Sequence, residues 1–143
     1  MLSGTLSNMD PAACIKVILF MLFADAVWLT TMRPMYAQLV QSVQGTDLRL
    51  RIVPSVIAYV FVVFAFVFLC AARITRPPGG GGRHAFVIGC AVGLAIYGVF
   101  NATNAAIFSG YTLVPAIADT VWGTVLFGTA SLLYYKMCQH PKK

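Results

Sequence analysis

Two carboxylates in this chain lie where a carboxylate is costly. Asp25 and Asp119 each fall inside a long apolar run, in nearly matching stretches: Asp25-Ala26-Val27-Trp28-Leu29-Thr30 and Asp119-Thr120-Val121-Trp122-Gly123-Thr124. The other aspartates, Asp10 and Asp47, stand outside such runs, and glutamate is absent. An ionisable side chain in hydrocarbon marks a functional site by default, and its partner has to be named. Buried acids can tie helices together, capture a proton or cation, or act as acid and base on a lipid. The last chemistry needs a nucleophile or metal beside the base, and no His or Cys falls at the depth of these two aspartates.

The elements that must position them follow from composition. With 59% hydrophobic residues and 10% charged residues in 143, the chain cannot hide its apolar surface in a water-soluble core of that size. Four segments can cross about 30 Å of hydrocarbon, at roughly 1.5 Å per helical residue. They run over residues 12–32, 52–72, 85–108 and 113–135, which predicts an all-α, four-helix membrane bundle forming one domain over residues 1–143. The first run is too long for a signal-peptide core and has no basic leader, so it is expected to stay as an anchor.

Basic residues orient the bundle. Lys16, Arg73, Arg76, Arg83, Lys136, Lys142 and Lys143 lie at the end that holds both termini, against Arg33, Arg49 and Arg51 opposite. The excess places both termini on the inner side, whether bacterial cytoplasm, cytosol or organelle matrix. The net charge of +6 is scattered at membrane boundaries, so anionic phospholipid is the expected partner, with Arg73, Arg76, Arg83 and Lys136 as headgroup contacts, and nucleic acid is not. Cys14, Cys70, Cys90 and Cys138 show no Cys-x-x-Cys spacing, so no metal and no cofactor is expected.

Between the first two spans, Pro34 can open a short helix with Tyr36, Leu39, Val40 and Val43 on its apolar face and Gly45 as its stop, the alternative being a partly ordered loop. The second span is almost solid Val, Phe, Ala and Ile, so most of it can face lipid or another protein. Pro77, Pro78 and Gly79 to Gly82 make a flexible link; a phosphate-binding loop would need Lys-Ser or Lys-Thr after the glycines. Gly89 and Gly93 form a G-x-x-x-G pair for close packing, with Gly123 as a further small position. Only residues 109–112 join spans three and four, so these must be antiparallel neighbours.

Counted from the outer helix ends, Asp25 lies seven residues in, Asp119 six and Asn101 seven. All three therefore sit roughly 9 to 11 Å beneath the outer boundary. Trp28, Tyr59, Tyr97, Asn104, Trp122 and Thr124 share that half, and Asp25 with Trp28, Tyr97 with Asn101 and Asn104, and Asp119 with Trp122 lie three or four apart on single faces. Converging stripes would make a polar cluster walled by two tryptophans, open toward the outer side, with nothing comparable in the inner half. The 94-residue offset between the motifs does not suit a two-helix duplication, because spans one and four run antiparallel.

Asp25-x-x-Trp28-Leu29, Tyr97 followed by Asn101-Ala-Thr103-Asn104, and Asp119-x-x-Trp122-Gly123-Thr124 together resemble an uncharacterised family of small membrane proteins found chiefly in bacteria. The resemblance spans nearly the whole chain and implies the four-span fold without supplying an activity. Its pattern often has an aspartate shortly before the Thr-Asn pair, where this chain has Phe100-Asn101-Ala102. Taken together, the sequence favours a non-catalytic accessory subunit of a larger, energy-transducing membrane assembly, packed against other subunits in a mitochondrial or bacterial inner membrane. The alternatives are a small proton or cation transporter using Asp25 and Asp119, and a lipid-modifying enzyme.

Overall fold

A computed structural model describes residues 9–74 and 81–139, and those residues are helical with short connections. Arg76, Pro77, Pro78, Gly79, Gly80, His140 and the last lysines lie outside the described residues, whereas Gly81 and Gly82, expected in a flexible link, begin a helix. Helix α1 spans Pro11–Thr31, α2 Arg33–Gln44, α3 Ile52–Ile74, α4 Gly81–Ile107 and α5 Leu113–Gln139. Four of them, all but α2, are long and apolar enough to cross a membrane. Helices α4 and α5 each run four residues further toward the end holding the termini than the apolar runs alone suggest. At 27 residues each, they measure about 40 Å, longer than the hydrocarbon they would cross.

Local signals start and stop these helices. The Asp10 side chain caps α1 by accepting from the Ala12 and Ala13 amides at 2.9 and 3.1 Å, and Pro11 occupies the first turn. Met32 breaks the chain between α1 and α2 (φ −90°, ψ 7°), which turns α2 away from the spanning direction. Pro34 sits in the first turn of α2 and Gly45 ends it with φ 66°, a left-handed conformation that glycine adopts without a Cβ penalty. The segment is thus a helix and not a loop.

Helix α5 is the hub. It packs along most of its length against α4, and α1 lies against its other side. The α4–α5 approach is so close that a Cβ at Gly89 would overlap the Phe127 carbonyl and one at Gly93 the Gly123 carbonyl. A Cβ at Gly123 would in turn overlap the Tyr97 ring. Helices in lipid associate by such backbone proximity, because lipid offers no hydrophobic drive between them.

Toward the end that holds residues 10 and 139, the core is closed and mostly apolar, with Ser131 and the Tyr134 hydroxyl also buried in it. Val17 and Met21 of α1, Phe66, Cys70 and Ala71 of α3, and Leu126, Phe127, Ala130 and Tyr134 of α5 form one buried cluster. Phe66 meets Tyr134 edge to face, with centroids 6.1 Å apart at 89°. A π-helical stretch, Phe66–Ala71, carries the α3 contribution, its wider turn bringing three fully buried residues onto the core. The other half of α3, Ile52–Ala65, buries Ala65 alone, in keeping with the expectation that this span faces lipid or protein.

Gly93→Leu is expected to force α4 and α5 apart and cost about 1–3 kcal/mol. Gly98→Ala, whose added methyl meets nothing nearer than the Thr120 Cγ2 at 3.8 Å, should leave thermal stability in detergent unchanged.

Candidate functional site

At the opposite end, which carries α2 and the 108–112 turn, side chains from all five helices meet at two carboxyls. Asp25, 9% exposed, accepts from the Tyr59 hydroxyl of α3 at 2.9 Å through one oxygen and from the Trp122 indole N–H of α5 at 2.9 Å through the other. Asp119 accepts from the Tyr36 hydroxyl of α2 at 2.7 Å and from the Asn101 amide of α4 at 2.9 Å. Each carboxyl therefore has one donor on each oxygen, and all four donors are neutral. A carboxylate offers about four acceptor positions, so each retains spare capacity.

The repeated motif acquires a geometric meaning here. Because α1 and α5 run antiparallel with their Asp-x-x-Trp faces opposed, each tryptophan addresses the other motif's aspartate. Trp122 reaches Asp25 directly; Trp28 donates at 3.0 Å to the Tyr36 hydroxyl, which passes the bond on to Asp119. The indole rings stack between them, with centroids 4.8 Å apart and planes within 3°. Two copies of one short motif thus clasp each other, with a phenol inserted into one arm.

Asn101, 3% exposed, organises the second carboxyl. Its amide nitrogen also donates to its own helix at the Tyr97 carbonyl, 2.9 Å away, and lies 3.2 Å from the Thr120 hydroxyl. Its oxygen accepts from the Tyr111 hydroxyl at 2.6 Å, so the surrounding donors and acceptors fix which way the amide points. Tyr97 contributes its ring, laid over Gly123 and edge-on to Phe127 at 6.4 Å.

Of the sequence-derived residues, Asp25, Trp28, Tyr59, Tyr97, Asn101, Asp119 and Trp122 come together. Asn104 and Thr124 instead bond back along their own helices, to the Phe100 and Thr120 carbonyls at 2.9 and 2.7 Å. These short polar side chains satisfy the preceding turn, as they commonly do in apolar helices. Tyr36 and Tyr111 complete the site without having been anticipated there: Tyr36 belonged to the apolar face of α2, and Tyr111 to the short turn. A phenol at a span end has an apolar body and a polar tip, which is the available signal.

Burial and then the hydrogen bond to Asp119 push the Tyr36 phenol well above its ordinary range, and burial with the Asp119 charge pushes Tyr111 up. A phenol whose folded-state value is raised lends its stabilisation below about pH 10 and loses it only as pH climbs through the raised value. Both therefore remain protonated donors under physiological conditions.

Elsewhere, Arg73, Arg83 and Lys136 are exposed at the ends of α3, α4 and α5 near the termini. Cys14 and Cys70 are buried, Cys90 and Cys138 partly so, and all four are free thiols. Among the described residues no group of three or more His, Cys, Asp or Glu is arranged to hold a metal ion.

Tyr36→Phe removes both the donor to Asp119 and the acceptor of Trp28, and should destabilise by about 1–3 kcal/mol. In a double-mutant cycle with Trp28→Phe, measured by thermal unfolding in detergent, the two losses are expected to be less than additive because they share one chain of bonds.

No curated protein and no solved structure matches the chain. A family model does: residues 12–136 match the family described as "Predicted membrane protein (DUF2177)", whose function is unknown. The match covers all four apolar spans and both halves of the clasp, and the chain belongs to this family.

Proposed function

We propose that this protein is a non-catalytic packing subunit of a larger membrane assembly, with anionic phospholipid bound at the basic rim formed by Arg73, Arg83 and Lys136. The observation that carries the proposal is the bare half of α3. Ile52, Val53, Val56, Ile57, Val60, Phe61 and Phe64 are each 51–73% exposed. The side-chain bond from Tyr59 to Asp25, with packing of Val62 and Ala65 at its far end, ties this half to the other spans. An apolar helix face presented in this way suits a partner helix, whereas the polar cluster ties the five helices together and the opposite half of the bundle is closed by Phe66, Phe127 and Ala130. The positive rim would face a bacterial cytoplasm or mitochondrial matrix.

The test is the native mass of the tagged protein in mild detergent, with mass spectrometry of co-migrating chains and a photo-crosslinking residue in place of Phe61. Migration with a defined complex that crosslinks through position 61 is the expected result; a lone monomer at physiological expression would overturn the proposal.

A second reading, proton or cation handling by Asp25 and Asp119, is favoured by one feature, the absence of a positive charge among the four donors to these carboxyls. It predicts an ion or proton flux in protein-containing liposomes that disappears in Asp119→Asn, and equal flux in the variant would dismiss it.

A further inference from the structure

Helix α2 differs from the rest of the bundle in how it is held. Of its twelve residues only Leu39 is buried. It joins α1 through Met32, the one non-helical residue between them, where no side-chain cap stiffens the break. At its other end, residues 45–51 are non-helical and give slack before α3 begins. Two polar attachments hold it down. Tyr36 bonds to Asp119 and Trp28 as described, and the Ser42 hydroxyl, which shares its one proton between the Leu39 carbonyl of its own helix at 2.8 Å and the Gly110 carbonyl at 2.7 Å, reaches the α4–α5 turn through the latter. The fit at the second attachment is close enough that any side chain at position 110 would overlap the Ser42 carbonyl.

What lies beneath is uneven. Asp119 receives one of its two donors from α2 itself, whereas both donors to Asp25 come from the spanning helices α3 and α5. We propose that α2 is a hinged cap over the half-buried Asp119, swinging about Met32 to widen that carboxyl's access to water while the buried Asp25 stays closed. A surface helix with one buried residue and two polar latches belongs to the low-stability end of a structure, where opening does not require unfolding of the spans. Opening exchanges the Tyr36 hydroxyl on Asp119 for water and leaves Asn101 as the donor that stays. The carboxyl thereby becomes a group that the aqueous phase at that face reaches more readily, and the Ser42–Gly110 contact becomes the catch that sets how often.

The full-length protein in lipid nanodiscs provides the test, with a water-soluble carbodiimide and a small amine as the probe and modification of Asp119 and Asp25 read separately by mass spectrometry. Ser42→Ala combined with Gly110→Val releases the catch. Asp119 modification is expected to rise about tenfold with Asp25 unchanged, and in the unaltered protein the α2 amides should exchange hydrogen faster than those of α1. Unchanged modification of Asp119, a parallel rise at Asp25, or α2 amides protected as well as those of α1 would each overturn the cap.

Discussion

Two acids surrounded by apolar helices have to be hydrogen-bonded, and no single helix can do that alone. Asp25 on α1 draws its donors from α3 and α5, and Asp119 on α5 draws its donors from α2 and α4. Every element is therefore referenced to one of two carboxyls. An unsatisfied carboxyl in this setting costs far more than a hydrogen bond contributes in water, so the clasp acts mainly by penalising arrangements that break it. The outer half of α3, where Ala65 is the one fully buried residue, is the clearest case, because there the Tyr59 hydroxyl supplements sparse packing.

The stacked indoles explain why two nearly matching motifs can do unlike jobs. An antiparallel pair of equal motifs makes a contact related by approximate two-fold symmetry, in which each tryptophan meets the opposing aspartate. Here the symmetry is broken by Tyr36, which lengthens one arm and brings α2 into the network. Glycine enables the geometry from behind. Tyr97 can lie over Gly123 because that residue has no side chain, and the same glycine's carbonyl receives the close approach of Gly93. Small residues on α4 and α5 thus set the distance at which Asn101 reaches Asp119.

Much of this was legible in the residues. Apolar run length located the spans, and the four-residue turn made α4 and α5 antiparallel neighbours. Depth counting put Asp25, Asn101 and Asp119 at one level, and the expected pair of tryptophans walling the cluster is present as the indole stack. Other features were hidden for physical reasons. Tyr36 reads as apolar because its ring repeats with Leu39 and Val40, and only the fold-back at Met32 points its hydroxyl at Trp28, eight residues earlier in the chain. Asn104 and Thr124 share depth with the cluster but not its direction, since a hydrogen bond to the preceding turn was open to them. The π-helical stretch in α3 leaves no mark in a run of Phe, Val, Leu, Cys and Ala, and it lies where α3 packs against both α4 and α5.

Asn101 bears on what the cluster is for. At Asn101 this chain places an amide nitrogen 2.9 Å from Asp119, where a carboxyl of similar size would also fit. Two carboxyls at that separation could coexist only by sharing a proton or a cation, and the site would then have to exchange something to remain stable. An amide removes that requirement: its nitrogen donates to the carboxyl and to the Tyr97 carbonyl, while its oxygen takes the Tyr111 hydroxyl. Asp119 is thereby satisfied from within the chain by groups that do not titrate near neutral pH. An amide at this position holds helices together without having to trade protons.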